Sequence, residues 1–486
     1  MSRVAELFFP AVRWDGQHGF ETQRGAMDQA LELGVGGFIL FGGPAEQVKA
    51  LTERLHSESR IKLLIGADLE RGAGQQFSGA TALPPLAAVA SLDSMDDIRR
   101  AAALTAREAR ALGVNWVYAP DCDLDIEPDN PIVGTRSFGG DPAVVGADAA
   151  AWIDACQKQR VLACAKHFPG HGRTTADSHA ELPAVGATAT NIRRTDLVPF
   201  TAAIAAGVAS IMSAHVAYPA LDNSGDPATL SAPILRTLLR DELGFRGLVV
   251  TDALIMEGVL GGGESEAVVR ALAAGCDCLL YPNDLAASVD AVSRAIDSQR
   301  LDWERIEGSL DRRAHWADWA GAQPSPGAGR PDESEWASRL AERTVHWVSG
   351  AAPLLRQPLR VAVVDDDLGG PYPPPSREPF VETLREGGVT VLDDADATAI
   401  ASGATVVALY GDVRAWKGRP GYSTAAKERV RELVAKSNSR AVVIVQFSHP
   451  RLAAGLGAEA PILCAWGGEA VMQRAAARVL ASSTRS

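Results

Sequence analysis

Short apolar runs recur along the first two thirds of the chain, and longer Ala-rich segments separate them. The runs are Leu7–Val12, Gly36–Leu40, Leu63–Asp68, Asn115–Pro120, Val161–Lys166, Ser210–His215, Leu248–Asp252 and Cys276–Tyr281. They are apolar almost throughout rather than alternating, the pattern of parallel strands buried on both faces. Segments such as Asp96–Ala111, Val144–Cys156, Asn191–Ala206 and Ala232–Leu243 supply helices to cover those faces. Eight strands alternating with helices over about 300 residues predict an α/β fold of the (β/α)8, TIM-like barrel type at residues 1–320. Gly36–Leu40 is the run whose composition fits a strand least, because two glycines open it.

The pattern then breaks at a Pro/Gly/Ser-rich stretch, Gly321–Glu335, which reads as a linker. A predicted helix, Trp336–Val348, completes a connecting segment at 321–350. Beyond it, Leu359–Val364, Val389–Leu392, Ala404–Tyr410, Ala441–Phe447 and Ile462–Ala465 read as strands, with helices such as Ala425–Lys436 between them. Residues 351–486 are therefore expected to form a smaller α/β sandwich. No GxGxxG follows any of these strands, so a dinucleotide site has no support. Arg414, Trp416, Lys417 and Arg419 make a basic-aromatic loop after a strand. It reads first as an ordinary exposed loop, and second as a cover for a pocket or a contact with another subunit.

Bulk composition narrows the class. The chain has 486 residues, 47% hydrophobic and 22% charged, values of a globular enzyme rather than a disordered chain. A formal net charge of −13 disfavours nucleic acid as a partner, since that needs a basic face. The six cysteines form no CxxC pair and no zinc spacing with histidine, which fits a reducing compartment. Neither a secretory leader nor a membrane-spanning run is visible. The expectation is a cytoplasmic protein, monomer or homodimer, with no metal and no cofactor.

Candidate chemistry sits where the strand runs end, as the fold class requires. Asp68 ends the third run, Asp121 and Asp123 follow the fourth, Lys166 and His167 end the fifth, His215 ends the sixth and Asp252 the seventh. Any one of them alone reads better as a loop charge or a helix cap; the set reads as a site. Four of the nine histidines lie between His167 and His215. The densest segment is Lys166-His167-Phe168-Pro169-Gly170-His171-Gly172, followed by Asp177-Ser178-His179. Asp177 and His179, two residues apart on a looped backbone, can bring carboxylate and imidazole together. That contact sets the ring's tautomer and raises its basicity, as an acid/base near neutral pH requires. Asp252 reads as a nucleophile, an electrostatic partner or an N-cap.

These segments resemble family 3 glycoside hydrolases, in the β-N-acetylglucosaminidase branch, over essentially the whole chain. Asn130-Pro131-Ile132-Val133-Gly134-Thr135-Arg136-Ser137-Phe138, Met212-Ser213-Ala214-His215 and Gly244-Phe245-Arg246-Gly247 ahead of Thr251-Asp252 add to the likeness. The resemblance implies Asp252 as nucleophile, His179 as acid/base with Asp177 behind it, and sugar contacts from Asp68, Arg136, Lys166 and His167. It places His215 beside the pocket. Where the family reads Asp-Gln-Glu-Gly-Gly-Arg, this chain has Asp68-Leu69-Glu70-Arg71-Gly72-Ala73, so Asp68 carries over and an arginine does not. The implied activity is retaining hydrolysis of terminal β-linked N-acetylhexosamine, a small carbohydrate substrate, with peptidoglycan recycling as a setting. Phosphate is a second acceptor to weigh against water, because a neutral imidazole does not repel it. A β-glucosidase and a sugar-binding protein without catalysis are the rival readings.

Overall fold

The structure, a computed structural model, describes residues 3–321, 332–368, 374–393, 403–412, 417, 419, 421–437 and 441–485. Each of the eight apolar runs contains a strand. The first is split by Pro10 into Phe8–Phe9 and Ala11–Arg13; the others are Gly37–Phe41, Leu64–Ala67, Trp116–Val117, Leu162–Phe168, Ser210–Ser213, Leu248–Thr251 and Leu279–Leu280. From Ala11–Arg13 to Leu248–Thr251 they pair in chain order and in parallel. The last strand pairs with Phe8–Phe9, and Cys278 bridges back to Val250. The parallel sheet thus curls until its final strand meets its first.

The strand glycines have a packing reason. A Cβ on Gly36 would run into the Glu6 carbonyl, and one on Gly37 into the Leu64 carbonyl. Only glycine lets these backbones approach so closely. Inside the curl, Phe9, Ile39, Leu64, Trp116, Leu162, Leu248, Val250 and Leu280 form one buried cluster, joined by Ala317 and Ala320 of the helix Trp303–Gly321. Arg313 of that helix donates to the carbonyls of Gly36 (3.1 Å) and Lys62, just ahead of two strands. The helix therefore covers the amino-terminal strand ends, and polar residues gather at the carboxyl ends.

Two predicted helices differ. The segment Asn191–Ala206 is two helices, Ala189–Arg194 and Leu197–Ala205. Pro199 explains the break, since its ring excludes the carbonyl four residues back, at Thr195, from helical geometry. Trp336–Val348 is a helix only as part of Glu333–Thr344; His346–Ser349 is a strand. The Gly321–Glu335 stretch lies, apart from its ends, outside the described residues.

The second compact unit holds residues 334–486 together with two excursions from the first two thirds of the chain, 83–94 and 128–136. Its six-stranded sheet runs His346–Ser349, Ile462–Cys464, Val442–Phe447, Ala404–Tyr410, Leu359–Asp365, Val391–Asp393. All neighbours are parallel except the first pair. Against the expected division at 320 and 351, contacts group residues from Ser334 onward with this unit. Ala341 and Val345, expected in a connecting segment, are buried with Leu463, Trp466, Ala87 and Ala88 in this unit's core. Apolar burial, not position along the chain, sets the boundary. Arg414 and Trp416 lie outside the described residues, but Lys417 turns inward. Its Nζ donates to the Asp412 carbonyl at 2.8 Å and lies 3.4 Å from Asp367. Among the described residues no helix is long and apolar enough to cross a membrane.

Gly37→Ala is expected to cost at least about 1–3 kcal/mol by forcing two strands apart. A lowered midpoint in chemical denaturation checks this; an unchanged midpoint would contradict the close-approach argument.

Candidate active site

Lys166 lies near the carboxyl end of the all-buried strand Leu162–Phe168 and is 2% exposed. A charge placed there needs compensation. Its Nζ lies 2.8 Å from Asp68 Oδ1 and 2.8 Å from Glu70 Oε1. Glu70, also buried, is a member that the sequence reading passed over. Its signal was present: a carboxylate two residues beyond Asp68, in the same loop.

One position on, His167 turns to the neighbouring strand end. Its Nδ1–H donates to Asp123 Oδ2 at 2.7 Å, and its backbone N–H faces the same carboxylate at 3.2 Å. The backbone N–H of His171 donates to Asp123 Oδ1 at 2.5 Å. Burial pushes the Asp123 carboxyl up, but His167 and His171 outweigh it and hold the pKa below the usual range. Asp121, Asp123 and His167 offer three ligand atoms within 4.8 Å of one another. The Asp123 oxygens are engaged by N–H groups of His167 and His171.

The Asp177–His179 contact expected from sequence forms. Asp177 Oδ1 accepts from the His179 backbone N–H at 2.9 Å and from its Nδ1–H at 2.7 Å. Asp177 is buried, whereas the His179 side chain is 21% exposed. With Nδ1 committed to Asp177, proton exchange falls to Nε2.

Asp252 follows the strand Leu248–Thr251. The capping alternative is removed by position: the next turn, Glu257–Val259, is capped at Met256, and the next helix starts at Glu264. Oδ1 of Asp252 accepts from the Ala253 N–H at 2.7 Å. Burial opposes its ionisation, yet His167, His215, His179 and the Ala253 N–H together bring its pKa down to about 2. It is a carboxylate at any working pH. His215 is fully buried, with Nδ1 at 2.8 Å from Thr229 Oγ1 and Nε2 donating to the Ala253 carbonyl at 3.1 Å. Burial lowers its pKa, against the pull of Asp252. It shapes the loop behind the carboxylate.

Asp68, Lys166, His167, Asp177, His179, His215 and Asp252 all belong to the first unit. Arg136, the remaining predicted contact, ends the turn Gly134–Arg136 in an excursion grouped with the second unit. Arg13, Phe41 and Tyr281 at the ends of strands one, two and eight were also passed over. The Arg13 guanidinium lies 4.0 Å from the Phe41 ring centroid, and its Nε donates to the Tyr281 hydroxyl at 2.7 Å. No polar run marks them in the sequence.

Residues 3–315 match the glycosyl hydrolase family 3 N-terminal domain. The chain belongs to glycosyl hydrolase family 3. It is 33% identical over 458 residues to a β-N-acetylglucosaminidase/β-glucosidase of Cellulomonas fimi, covering 88% of this chain and 78% of the relative. A β-hexosaminidase of Thiobacillus denitrificans is 40% identical over 261 residues, 51% of this chain and 72% of the relative. The solved family 3 β-N-acetylglucosaminidase of Paenibacillus sp. str. FPU-7 superposes with a TM-score of 0.85 at 27% identity, over 99% of this chain and 96% of that one. The protein is a glycoside hydrolase and acts on a small carbohydrate.

Lys166→Met leaves the Glu70 and Asp68 carboxylates without their cation and is expected to cost about 3–5 kcal/mol. Adding Glu70→Gln should restore part of it, read as non-additive denaturation midpoints. Strict additivity would count against the buried pair.

Proposed function

We propose that this protein is a retaining β-N-acetylglucosaminidase with Asp252 as nucleophile and His179 as acid/base. The observation that carries the reading is the Asp177–His179 pair at 2.7 Å, on a loop whose histidine acts electrostatically on Asp252. The names borne by the relatives support the same substrate class. We also read the curled parallel sheet as a (β/α)8 barrel and the second unit as an α/β sandwich.

In the first step an Asp252 oxygen bonds to the anomeric carbon as the glycosidic C–O bond breaks. The His179 Nε2 proton goes to the leaving oxygen. In the second step His179 takes a proton from water, the water oxygen bonds to the same carbon, and the Asp252 ester breaks; two inversions give retention. Asp177 holds the ring and stabilises the imidazolium as it forms. Asp68, Lys166 and His167 are the proposed sugar contacts, with His215 setting the loop behind the nucleophile.

A carboxylate acid/base would repel phosphate once ionised; neutral imidazole would not. Phosphorolysis, with phosphate taking the place of water, is the second reading. The Cellulomonas relative's double name makes glucosides the comparison substrate. All six cysteines are buried and free, which supports a reducing, cytoplasmic setting, and peptidoglycan recycling is a role consistent with it.

Asp252→Ala is expected to lower kcat by roughly 10⁴-fold or more; retained activity would remove the nucleophile. His179→Ala should cost about 10²–10⁴-fold on a poor leaving group and far less on an activated nitrophenyl one. Equal losses would remove the acid role. Turnover of a nitrophenyl β-N-acetylglucosaminide with phosphate present is expected to release mainly free sugar. Sugar 1-phosphate as the main product would reassign the acceptor, and a faster glucoside would reassign the substrate.

A further inference from the structure

His171 takes no part in the chemistry proposed above, yet its ring is bonded at both nitrogens. Nδ1 lies 2.7 Å from Thr174 Oγ1, and Nε2 lies 3.0 Å from Ser178 Oγ. The Thr174 hydroxyl donates to the His171 carbonyl at 3.1 Å, so its oxygen accepts from Nδ1–H. Nε2 is then the acceptor for the Ser178 hydroxyl. His171, Thr174 and Ser178 are all buried. Burial brings the His171 pKa down to about 4, so the neutral ring this bonding requires is the form present at neutral pH.

The two ends of this link join separate parts of the site. At one end, the His171 backbone N–H is held by Asp123, the same carboxylate that holds the His167 ring. At the other, Ser178 stands between Asp177 and His179. No helix or strand occurs between Phe168 and Ala189, so backbone turns, such as the Ala180 and Glu181 N–H groups on the Asp177 carbonyl, and side-chain bonds together set the shape of this segment. The loop that follows Asp252 closes on the same turn: a Cβ on Gly258 would come within 3.0 Å of the Ser178 carbonyl and 3.2 Å of the His215 carbonyl.

We propose that His171, acting through Ser178, is a positioning residue for the acid/base. It ties the Asp177-Ser178-His179 turn to the Asp123–His167 end of the fifth strand, and so sets where His179 stands relative to the nucleophile's loop. The proposal rests on the reading of His179 as acid/base.

The test compares Ser178→Ala, His171→Ala and His171→Gln with His179→Ala, on N-acetylglucosaminides of poor and activated leaving groups. The amide oxygen that His171→Gln introduces keeps an acceptor for Ser178, which guards against a His171→Ala that fails to fold. Ser178→Ala is expected to lower kcat/KM about tenfold on the poor leaving group, the worth of one lost hydrogen bond, and less than about twofold on the activated one. Its KM should be unchanged, and its thermal midpoint should fall only modestly, by what one buried hydrogen bond is worth. His171→Gln should recover most of what His171→Ala loses. Ser178→Ala added to His179→Ala should cost nothing further, since the link acts only through that ring. Amide exchange in the segment 174–181 should quicken in Ser178→Ala while that of the strand Leu162–Phe168 stays slow. Unchanged loop exchange, an equal loss on both leaving groups, or additive losses in the double variant would overturn the proposal. A His179→Ala without leaving-group dependence would instead overturn the acid/base reading, and the positioning claim would fall with it; loop exchange would still report whether the bond holds the turn.

Discussion

A charge at the end of a strand buried on both faces has to be answered by a group on a neighbouring strand. Lys166 states this constraint most sharply. Its ammonium has almost no contact with solvent, and the two carboxylates that compensate it come from the loop after the third strand. His167, the next residue, is answered by Asp123 beyond the fourth strand. Asp252, ending the seventh, is kept ionised by three histidines from the fifth and sixth strand ends and the loop between them. The buried charges knit the carboxyl ends of the strands together, and the same charges make up the site proposed for the chemistry.

That dual use explains why stability and chemistry are hard to separate here. Removing one partner of a buried pair leaves an uncompensated charge, which costs more than the pair itself contributes. The surrounding sheet must therefore hold these groups in one arrangement. It does so through close backbone approaches, as at Gly36 and Gly37, and through a helix that covers the opposite strand ends. The Asp177-Ser178-His179 turn differs in kind. It lies in a segment without helix or strand, and polar side chains such as Asp177, Ser178 and His171 supply what backbone ladders supply elsewhere.

The second unit follows the same physics with another outcome. Asp365, Asp366, Asp367 and Asp412 sit at carboxyl strand ends, where an open α/β sheet commonly binds ligands. Arg377, Lys417 and Arg419 pair with the first three within the unit, and Lys417 also donates to the Asp412 carbonyl.

Sequence by itself marked the eight strand positions, because nearly continuous apolar runs alternating with longer helical segments fit parallel strands buried on both faces. It also marked Asp252, Lys166, His167 and the Asp177–His179 pair, because each polar residue stands out at the end of an apolar run or two residues from its partner. Only the tertiary structure decided that Asp252 caps no helix, that Glu70 and Asp123 are the counter-charges, and that His171 reaches Ser178. The counter-charges depend on which strand ends become neighbours when the sheet curls, and pairing across 44 to 98 residues leaves no periodic trace in the chain; the His171–Ser178 bond and the backbone after Asp252 lie in loops, where no period applies. The unit boundary was hidden for the same reason. Ala87 and Ala88 join the second unit's core beside Ala341 and Val345, more than two hundred positions away, and local pattern carries no record of them.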